Sequence, residues 1–130
     1  MQGWIAVDLD GTLAEYYGWP VDGSIGEPIP AMVERVKVWL AGGKDVRIFT
    51  ARVWPLGLQR FHNDGLAQRS ADAEFQLVRV EVWCREHLGQ VLPVTCIKDF
   101  GMIELWDDRA VQVIPNTGKP IAEGKCRCPV

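Results

Sequence analysis

Two aspartates follow the first apolar stretch of the chain. The apolar run Ile5, Ala6 and Val7 ends at Asp8, and Asp10 follows two residues later, directly before a glycine. This pattern predicts a buried strand that breaks into a turn, so both carboxylates leave the same strand end. Negative charge beside a core strand is costly unless a cation or a proton compensates it. Asp8 and Asp10 are therefore candidate metal ligands or catalytic carboxylates.

Polar residues also stand at the ends of the later predicted strands. Thr50 and Arg52 follow the second strand, Lys98 follows the third, and Asp107 and Asp108 follow the fourth. In open α/β sheets, ligands bind at the carboxyl ends of the strands. Carboxylates select hard cations such as Mg²⁺, which also binds phosphate oxygens. A hydroxyl and an ammonium group can hold further phosphate oxygens, so this combination predicts phosphoryl-transfer chemistry.

Strands and helices alternate along the chain. A helix is expected from Pro30 to Gly42–Gly43, and a second from Ser70 or Asp72 to about His87. The predicted inward positions are Ile29, Val33, Val36 and Leu40 on the first helix, and Phe75, Val78 and Val82 on the second. The predicted strands are 5–7, 46–49, 91–97, 102–106 and 111–114. Helix-separated, apolar strands favour a mainly parallel sheet, and hence the α/β class.

Three segments do not fit this alternation. Residues 14–27 predict a loop over the carboxyl end of the first strand, and residues 117–130 an extended tail. Residues 53–70 predict an irregular excursion near the site, which carries Arg60, His62 and Arg69 among Trp54 and Phe61. Such cations beside aromatic rings can bind phosphate and stack a base. The alternative is a solvated loop whose aromatic side chains pack on the sheet.

The motifs at the strand ends resemble those of the haloacid dehalogenase superfamily of phosphohydrolases. Asp8-Leu-Asp-Gly-Thr-Leu13 is similar to the first motif, and Phe49-Thr-Ala-Arg52 to the second. Lys98 resembles the third, and Trp106-Asp-Asp-Arg109 the acidic fourth. The resemblance covers residues 4–116. It implies one Rossmann-like three-layer domain over residues 1–116, without the large cap domain of many members.

The resemblance also implies a role for each matching residue. Asp8 would be the nucleophile and a Mg²⁺ ligand, and Asp10 the general acid and base, with its backbone carbonyl on the metal. Thr50 and Lys98 would bind the phosphoryl group. Asp107 would be a further metal ligand.

Three residues keep more than one interpretation. Asp108 would bind the metal through water or orient Lys98. Arg52 could reach a second substrate anion, or form a salt bridge to Asp108 or Glu104. Arg109 has no definite role in the resemblance.

Composition excludes several classes of protein. The chain has 130 residues, 48% of them hydrophobic and 24% charged, with a formal net charge of -3. It therefore fits one globular domain and carries no global charge signature for nucleic acid or an anionic membrane. No apolar run is long enough to span a bilayer and the first residues lack a signal-peptide pattern, so we expect a cytoplasmic location.

The four cysteines give weaker signals. Cys84 and Cys96 are expected to be small buried hydrophobes. Cys126 and Cys128 form a lone Cys-x-Cys, which by itself is a weak metal signal.

The leading functional hypothesis is a Mg²⁺-dependent phosphomonoester hydrolase that forms an aspartyl-phosphate. Its partner would be a phosphorylated small molecule, or an exposed phosphate on a larger one. A second hypothesis narrows the substrate to a nucleotide or a polynucleotide end. A third, non-enzymatic hypothesis is a receiver-like phosphoacceptor or a binding module. Receiver domains carry the phosphorylated aspartate on a later strand than the acidic pair, whereas here the Asp-x-Asp motif comes first.

Overall fold

The computed structural model describes residues 2–56 and 66–121, and for residues 66–70 it describes the backbone alone. Within these ranges the strands are β1 (Trp4–Val7), β2 (Asp45–Phe49), β3 (Val94–Thr95) and β4 (Met102–Trp106). The α-helices are α1 (Pro30–Ala41) and α2 (Leu66–Leu88), and a 3-10 turn spans Ala51–Val53.

The sheet is parallel throughout, with the strand order β3-β2-β1-β4. Val7, the last residue of β1, pairs with Ile48 of β2 on one side and with Trp106 of β4 on the other. The carboxyl ends of the three strands therefore lie at one level. Residues that follow these strands are brought to the same edge of the sheet.

One face of the sheet forms the core with both helices. Ile5 and Val7 of β1 belong to a buried cluster that includes Val36 of α1 and Val80 of α2. Both helices contact each other as well as the sheet region. Full burial of each such aliphatic side chain contributes about 1.5–3 kcal/mol. This packing fixes the strand ends that carry the polar residues.

The other face of the sheet is more open. Ile103 and Leu105 of β4 are 64% and 40% exposed. Trp4 is buried, donates a hydrogen bond from Nε1 to Asp99 (2.9 Å) and lies under the Arg47 guanidinium, 4.7 Å from the ring centroid. In the described part of the chain, no helix contributes to this face, so a third layer is not seen there. The predicted α/β class with a parallel sheet is confirmed, and residues 2–56 and 66–121 contain no large cap domain.

The first helix agrees with its prediction. Pro30 occupies the first turn, where its missing N–H is not needed, and Gly42 caps the other end. Val36 is buried, and the other three predicted inward residues are partly buried against the core.

The inward face predicted for α2 is wrong. Phe75, Val78 and Val82 are 58%, 56% and 43% exposed. The helix instead buries Ala73, Val80, Trp83, Cys84 and Leu88. Apolar residues occupy two stripes of this helix, and contact with the sheet and with residues 24–26 selects the stripe that contains Trp83 and Cys84. The helix also begins at Leu66, before the predicted Ser70 or Asp72.

Two strand predictions need correction. The third strand is limited to Val94–Thr95, and directly after it the Thr95 hydroxyl accepts a hydrogen bond from the Ile97 N–H in a turn. Residues 111–114 do not join the sheet. Val113 instead bridges Pro120 in a short return of the chain through Asn116 and a glycine at position 118, both at positive φ. Within the residues described, no helix has the length and apolar character needed to cross a bilayer.

Candidate functional site

Three carboxylates converge at the carboxyl edge of the sheet. Asp8 follows β1, and Asp107 and Asp108 follow the neighbouring strand β4. The Asp8 N–H donates to the carbonyl of Trp106 (2.9 Å), which extends the strand pairing up to the acidic residues. One oxygen of each carboxylate lies within 4.8 Å of the others. The register of two parallel strands thus builds a group of ligands that could hold one cation.

The position of Asp8 makes its negative charge costly. Its pKa is raised to about 8, first by burial of the carboxyl group and then by the charges of Asp107 and Asp108. A cation between these groups would offset the repulsion and favour the ionised form of Asp8. Asp10 does not belong to this group of ligand atoms, so a metal contact through its side chain is not seen here.

The turn after β1 holds Asp108 in place. The Thr12 hydroxyl accepts from the Asp108 N–H (2.9 Å) and donates to Asp108 Oδ1 (3.2 Å). Gly11 has a φ of 96°, and a Cβ on it would lie 2.5 Å from Asp108 Oδ2. Only glycine allows both the backbone conformation and this close approach. The glycine and threonine of the first motif therefore position an acidic residue of the fourth.

Arg52 is held by two chain segments and one helix. Its Nε and one terminal nitrogen donate to the two carboxylate oxygens of Asp10, each at 2.8 Å. The other N–H groups donate to the carbonyls of Gly23 (2.6 Å) and Ser24 (3.0 Å) and to Gln76 Oε1 (2.8 Å). A guanidinium has five N–H donors, and these five contacts use all of them.

This arrangement corrects the predicted role of Arg52. The predicted ion-pair partners were Asp108 and Glu104, whereas the observed partner is Asp10. The predicted contact to a substrate phosphate would need a donor that is already bonded within the protein. The side chain of Arg52 is only 2% exposed. In this structure Arg52 therefore positions Asp10 and the loop at residues 23–24.

The other predicted phosphate ligands lie in different environments. Thr50 is 3% exposed, lines the cleft, and accepts a hydrogen bond on its hydroxyl from the Arg52 N–H (3.1 Å). Lys98 is exposed and is not among the residues that line the cleft. Arg109 does line it, and its N–H donates to Asp107 Oδ1 (2.7 Å). Phosphate binding by Thr50 and Lys98 stays a prediction.

A cleft of about 620 Å³ opens at these residues. Its polar lining includes Asp8, Asp10, Thr50, Asp107 and Arg109, and its aromatic lining is Tyr16, Trp19, Phe49, Trp54 and Phe75. Cavities of this size hold small organic ligands. The site therefore combines a carboxylate cluster with an aromatic wall.

Several residues of this site were not found from the sequence. Trp19 stacks on the Arg52 guanidinium, which lies 4.6 Å from its ring centroid. The predicted loop over the first strand was the available signal, because such a loop can carry a side chain into the cleft. No sequence signal singled out Gln76 or the hydrogen bonds of Thr12 to Asp108.

The cysteines and the excursion complete the comparison. Cys84 is buried as predicted, and burial raises the pKa of its thiol to about 11. Cys96 is half-buried. Cys126 and Cys128 lie outside the described residues, as do residues 57–65 of the predicted excursion and the side chain of Arg69.

The comparisons with known proteins concern the fold alone. No family model matches the chain, and no curated protein matches it. A conserved protein from Bacteroides thetaiotaomicron is similar in structure, with a TM-score of 0.51 and 22% sequence identity. The alignment covers 89% of this chain and 84% of that one. This similarity supports the architecture and carries no information on activity.

Proposed function

We propose that the protein is a Mg²⁺-dependent phosphomonoester hydrolase of the haloacid dehalogenase type. The observation that carries this proposal is the convergence of the Asp8, Asp107 and Asp108 carboxylates within 4.8 Å. The cluster adjoins a cleft that is also lined by Thr50 and by a second aspartate, Asp10. Such a set of carboxylates suits a hard divalent cation rather than a soft one.

Asp8, Asp107 and Asp108 would hold the metal, and the backbone carbonyl of Asp10 stays a predicted further ligand. Bound Mg²⁺ would supply positive charge between these carboxylates and the phosphoryl oxygens of the substrate. The raised pKa of Asp8 supports this assignment, because both its first cause, burial of the carboxyl group, and the repulsion by neighbouring carboxylates disfavour a negative charge that a cation would stabilise.

The reaction would proceed in two steps. A carboxylate oxygen of Asp8 forms a bond to phosphorus while the ester P–O bond breaks, and Asp10 gives its proton to the leaving oxygen. A water molecule then attacks the aspartyl-phosphate and transfers a proton to Asp10. The bond between Asp8 and phosphorus breaks, which releases inorganic phosphate and restores both aspartates to their starting forms.

Arg52 would serve this chemistry as a positioning residue. Each carboxylate oxygen of Asp10 uses one lone pair for the Arg52 hydrogen bonds and keeps a second. The transferred proton would occupy one of the remaining lone pairs. Holding both oxygens keeps the carboxyl plane in one orientation, which is what proton transfer to a defined oxygen requires.

The phosphoryl oxygens would be held by neutral and cationic donors. The hydrogen bond from the Arg52 N–H uses a lone pair of the Thr50 hydroxyl, so its hydrogen can be donated to phosphate. Arg109 is the described cation of the cleft that we assign to charge compensation, and Lys98 would add to it if its side chain turns inward.

The test uses a generic aryl phosphate with Mg²⁺ and with a chelator. We expect chelation to abolish turnover, and Asp8→Asn to lower kcat at least about 1,000-fold, because the nucleophile is lost. Asp45→Asn is the matched control, since Asp45 is an exposed carboxylate at the opposite end of β2. Full turnover by Asp8→Asn would overturn the mechanism.

A receiver-like phosphoacceptor stays the non-enzymatic alternative. It predicts that Asp8 accepts phosphate from a small phosphodonor and holds it without multiple turnover. Chain order favours the hydrolase, because the Asp-x-Asp motif follows the first strand and the acidic pair follows the last. Measuring phosphate release per protein molecule separates the two hypotheses. The cytoplasmic location also stays a prediction.

A further inference from the structure

We propose that the aromatic part of the cleft is a subsite for the leaving group of the substrate. It selects phosphomonoesters that carry a planar aromatic ring and are about as large as a nucleoside monophosphate. The inference rests on the proposed function for the place of the phosphate. The ring preference itself rests on the aromatic side chains of the cleft.

Trp19 forms the best-defined part of this wall. One contact of its ring is with the Arg52 guanidinium at 4.6 Å, and the side chain is still 57% exposed. An indole that is held by a cation and open to the cleft offers a flat surface for a second ring. Because the same guanidinium holds Asp10, the stacking surface and the proposed acid–base group share one support.

The loop that carries Trp19 is braced at several points. The Glu15 N–H donates to the carbonyl of Glu27 (2.8 Å), which closes the base of the loop. Trp83 Nε1 donates to the carbonyl of Gly26 (3.0 Å), and the Arg52 guanidinium donates to the carbonyls of residues 23 and 24. A braced loop presents Trp19 with little loss of conformational freedom on binding, which favours affinity.

Further rings face the same cavity. Phe75 of α2 is 58% exposed, and its ring lies 4.9 Å from the Arg79 guanidinium. Trp54 is 47% exposed and lines the cleft. Trp19, Trp54 and Phe75 are exposed and line one cleft, and apolar side chains grouped in this way mark a ligand-binding surface.

The charges of the cleft favour a small ligand over a polynucleotide chain. Among the described lining residues the cations are Arg52 and Arg109, and Arg52 has used all its donors within the protein. A polynucleotide needs a row of cations along its backbone. A ligand with one phosphate and one planar ring needs only the carboxylate cluster and the aromatic lining of the cleft.

The test compares adenosine 5′-monophosphate with ribose 5-phosphate, which keeps the sugar phosphate and lacks the planar adenine base. Stacking of a base on an aromatic side chain raises affinity by roughly fivefold to 150-fold. We therefore expect kcat/KM for the nucleotide to exceed that for the sugar phosphate at least about tenfold. A ratio near one in the wild-type protein would overturn the subsite.

Variants assign the preference to Trp19. Trp19→Ala should lower the nucleotide-to-sugar ratio at least about fivefold, and Trp19→Phe should keep most of it because a ring is retained. Tyr17→Ala is the matched control, since Tyr17 is 90% exposed and does not line the cleft. An unchanged ratio in Trp19→Ala would contradict the assignment. Trp19→Ala could also lower kcat for both substrates by disturbing Arg52. Such a common loss does not change the nucleotide-to-sugar ratio, because the ratio compares two substrates of the same variant.

Binding to the Asp8→Asn protein separates the subsite from the proposed function. Titration calorimetry with the same two compounds should show tighter nucleotide binding that is lost when Trp19→Ala is added. Hydrolysis without ring preference would leave the proposed function standing and overturn the subsite. Ring-selective binding without Mg²⁺-dependent hydrolysis would leave the subsite standing and overturn the proposed function. A 5′-phosphorylated oligonucleotide that is hydrolysed more than about tenfold better than the mononucleotide would overturn the commitment to a small ligand.

Discussion

The guanidinium of Arg52 holds both carboxylate oxygens of Asp10, each at 2.8 Å, across 42 positions of the chain. Parallel N–H···O bonds of this kind fix the orientation of a carboxyl group as well as its charge. The remaining donors of Arg52 hold two carbonyls of the loop and Gln76 of α2. One buried side chain thus joins the first motif, the loop over the cleft and the second helix.

This relationship predicts a loss in kcat when the two-bond contact between the Arg52 guanidinium and the Asp10 carboxylate is removed. Arg52→Lys keeps the charge but cannot hold two oxygens in one plane, so we expect kcat to fall about tenfold to 100-fold. With ribose 5-phosphate as substrate, which does not reach the Trp19 surface through a base, KM and inhibition by inorganic phosphate should change less than about threefold, because Arg52 positions Asp10 and does not bind the phosphate. A large rise in KM with unchanged kcat would instead restore the phosphate-binding role.

Arg47→Lys is the matched control for that variant. Arg47 makes the same two-bond contact with Asp45, but on the surface and away from the cleft. Exposed ion pairs contribute about 0–1 kcal/mol, so stability should change little and kcat should stay at the wild-type value.

Gly11→Ala should weaken metal binding in addition to stability. The new Cβ would lie 2.5 Å from Asp108 Oδ2, at a backbone φ of 96°. Gly43→Ala is the control, because Gly43 has a φ of 80° and open space around it. Both variants should lose about 1–2 kcal/mol from backbone strain. Only Gly11→Ala should raise the Mg²⁺ concentration for half-maximal activity, and an equal rise in both would contradict this account.

Thr12→Val should affect the metal through Asp108. The valine fills the same volume but removes both hydrogen bonds to Asp108. Loss of a residue that orients a metal ligand typically costs about tenfold to 100-fold in metal affinity. Thr12→Ser keeps the hydroxyl and should retain most of the affinity. The Mg²⁺ dependence of activity and the Mg²⁺-induced shift in Tm measure the effect independently of each other.

The acidic cluster predicts how stability without metal depends on pH. The pKa of Asp8 is about 8 in the folded protein and has an ordinary value of 3.8. Between these values the folded state binds more protons than the unfolded state, so the free energy of unfolding falls as pH rises through this window. Mg²⁺ should therefore raise Tm more at about pH 8 than at about pH 5, where protons compete with it.

Asp8→Asn isolates that contribution. The variant should lack the part of the pH slope that Asp8 causes in chelator, as measured by thermal unfolding at several pH values. Asp45 and Asp99 do not interfere, because hydrogen bonds from Arg47 and Trp4 lower their pKa values and move their effect to more acidic pH. The same slope in wild type and variant would show that Asp8 is not the titrating group.

Much of the fold could be predicted from local patterns. The apolar run closed by Asp8 became β1, and the segment after Pro30 became α1 with the expected apolar side on the core. Parallel strands then carried Asp8 and the two aspartates after β4 to one edge. These features are local in sequence, or follow from the general geometry of parallel sheets, so no tertiary information was needed.

Periodicity and turn residues locate the strand ends, so the residue types that stand there could be read from the sequence. Which of these residues touch each other depends on how the chain packs. The loop at residues 14–27 places two carbonyls beside the Arg52 guanidinium, which also holds Asp10. Phe75 of helix α2 is exposed because the helix has two apolar stripes and only the other one packs against the core. Such choices depend on contacts between distant segments, and the spacing of residues along the chain does not encode them.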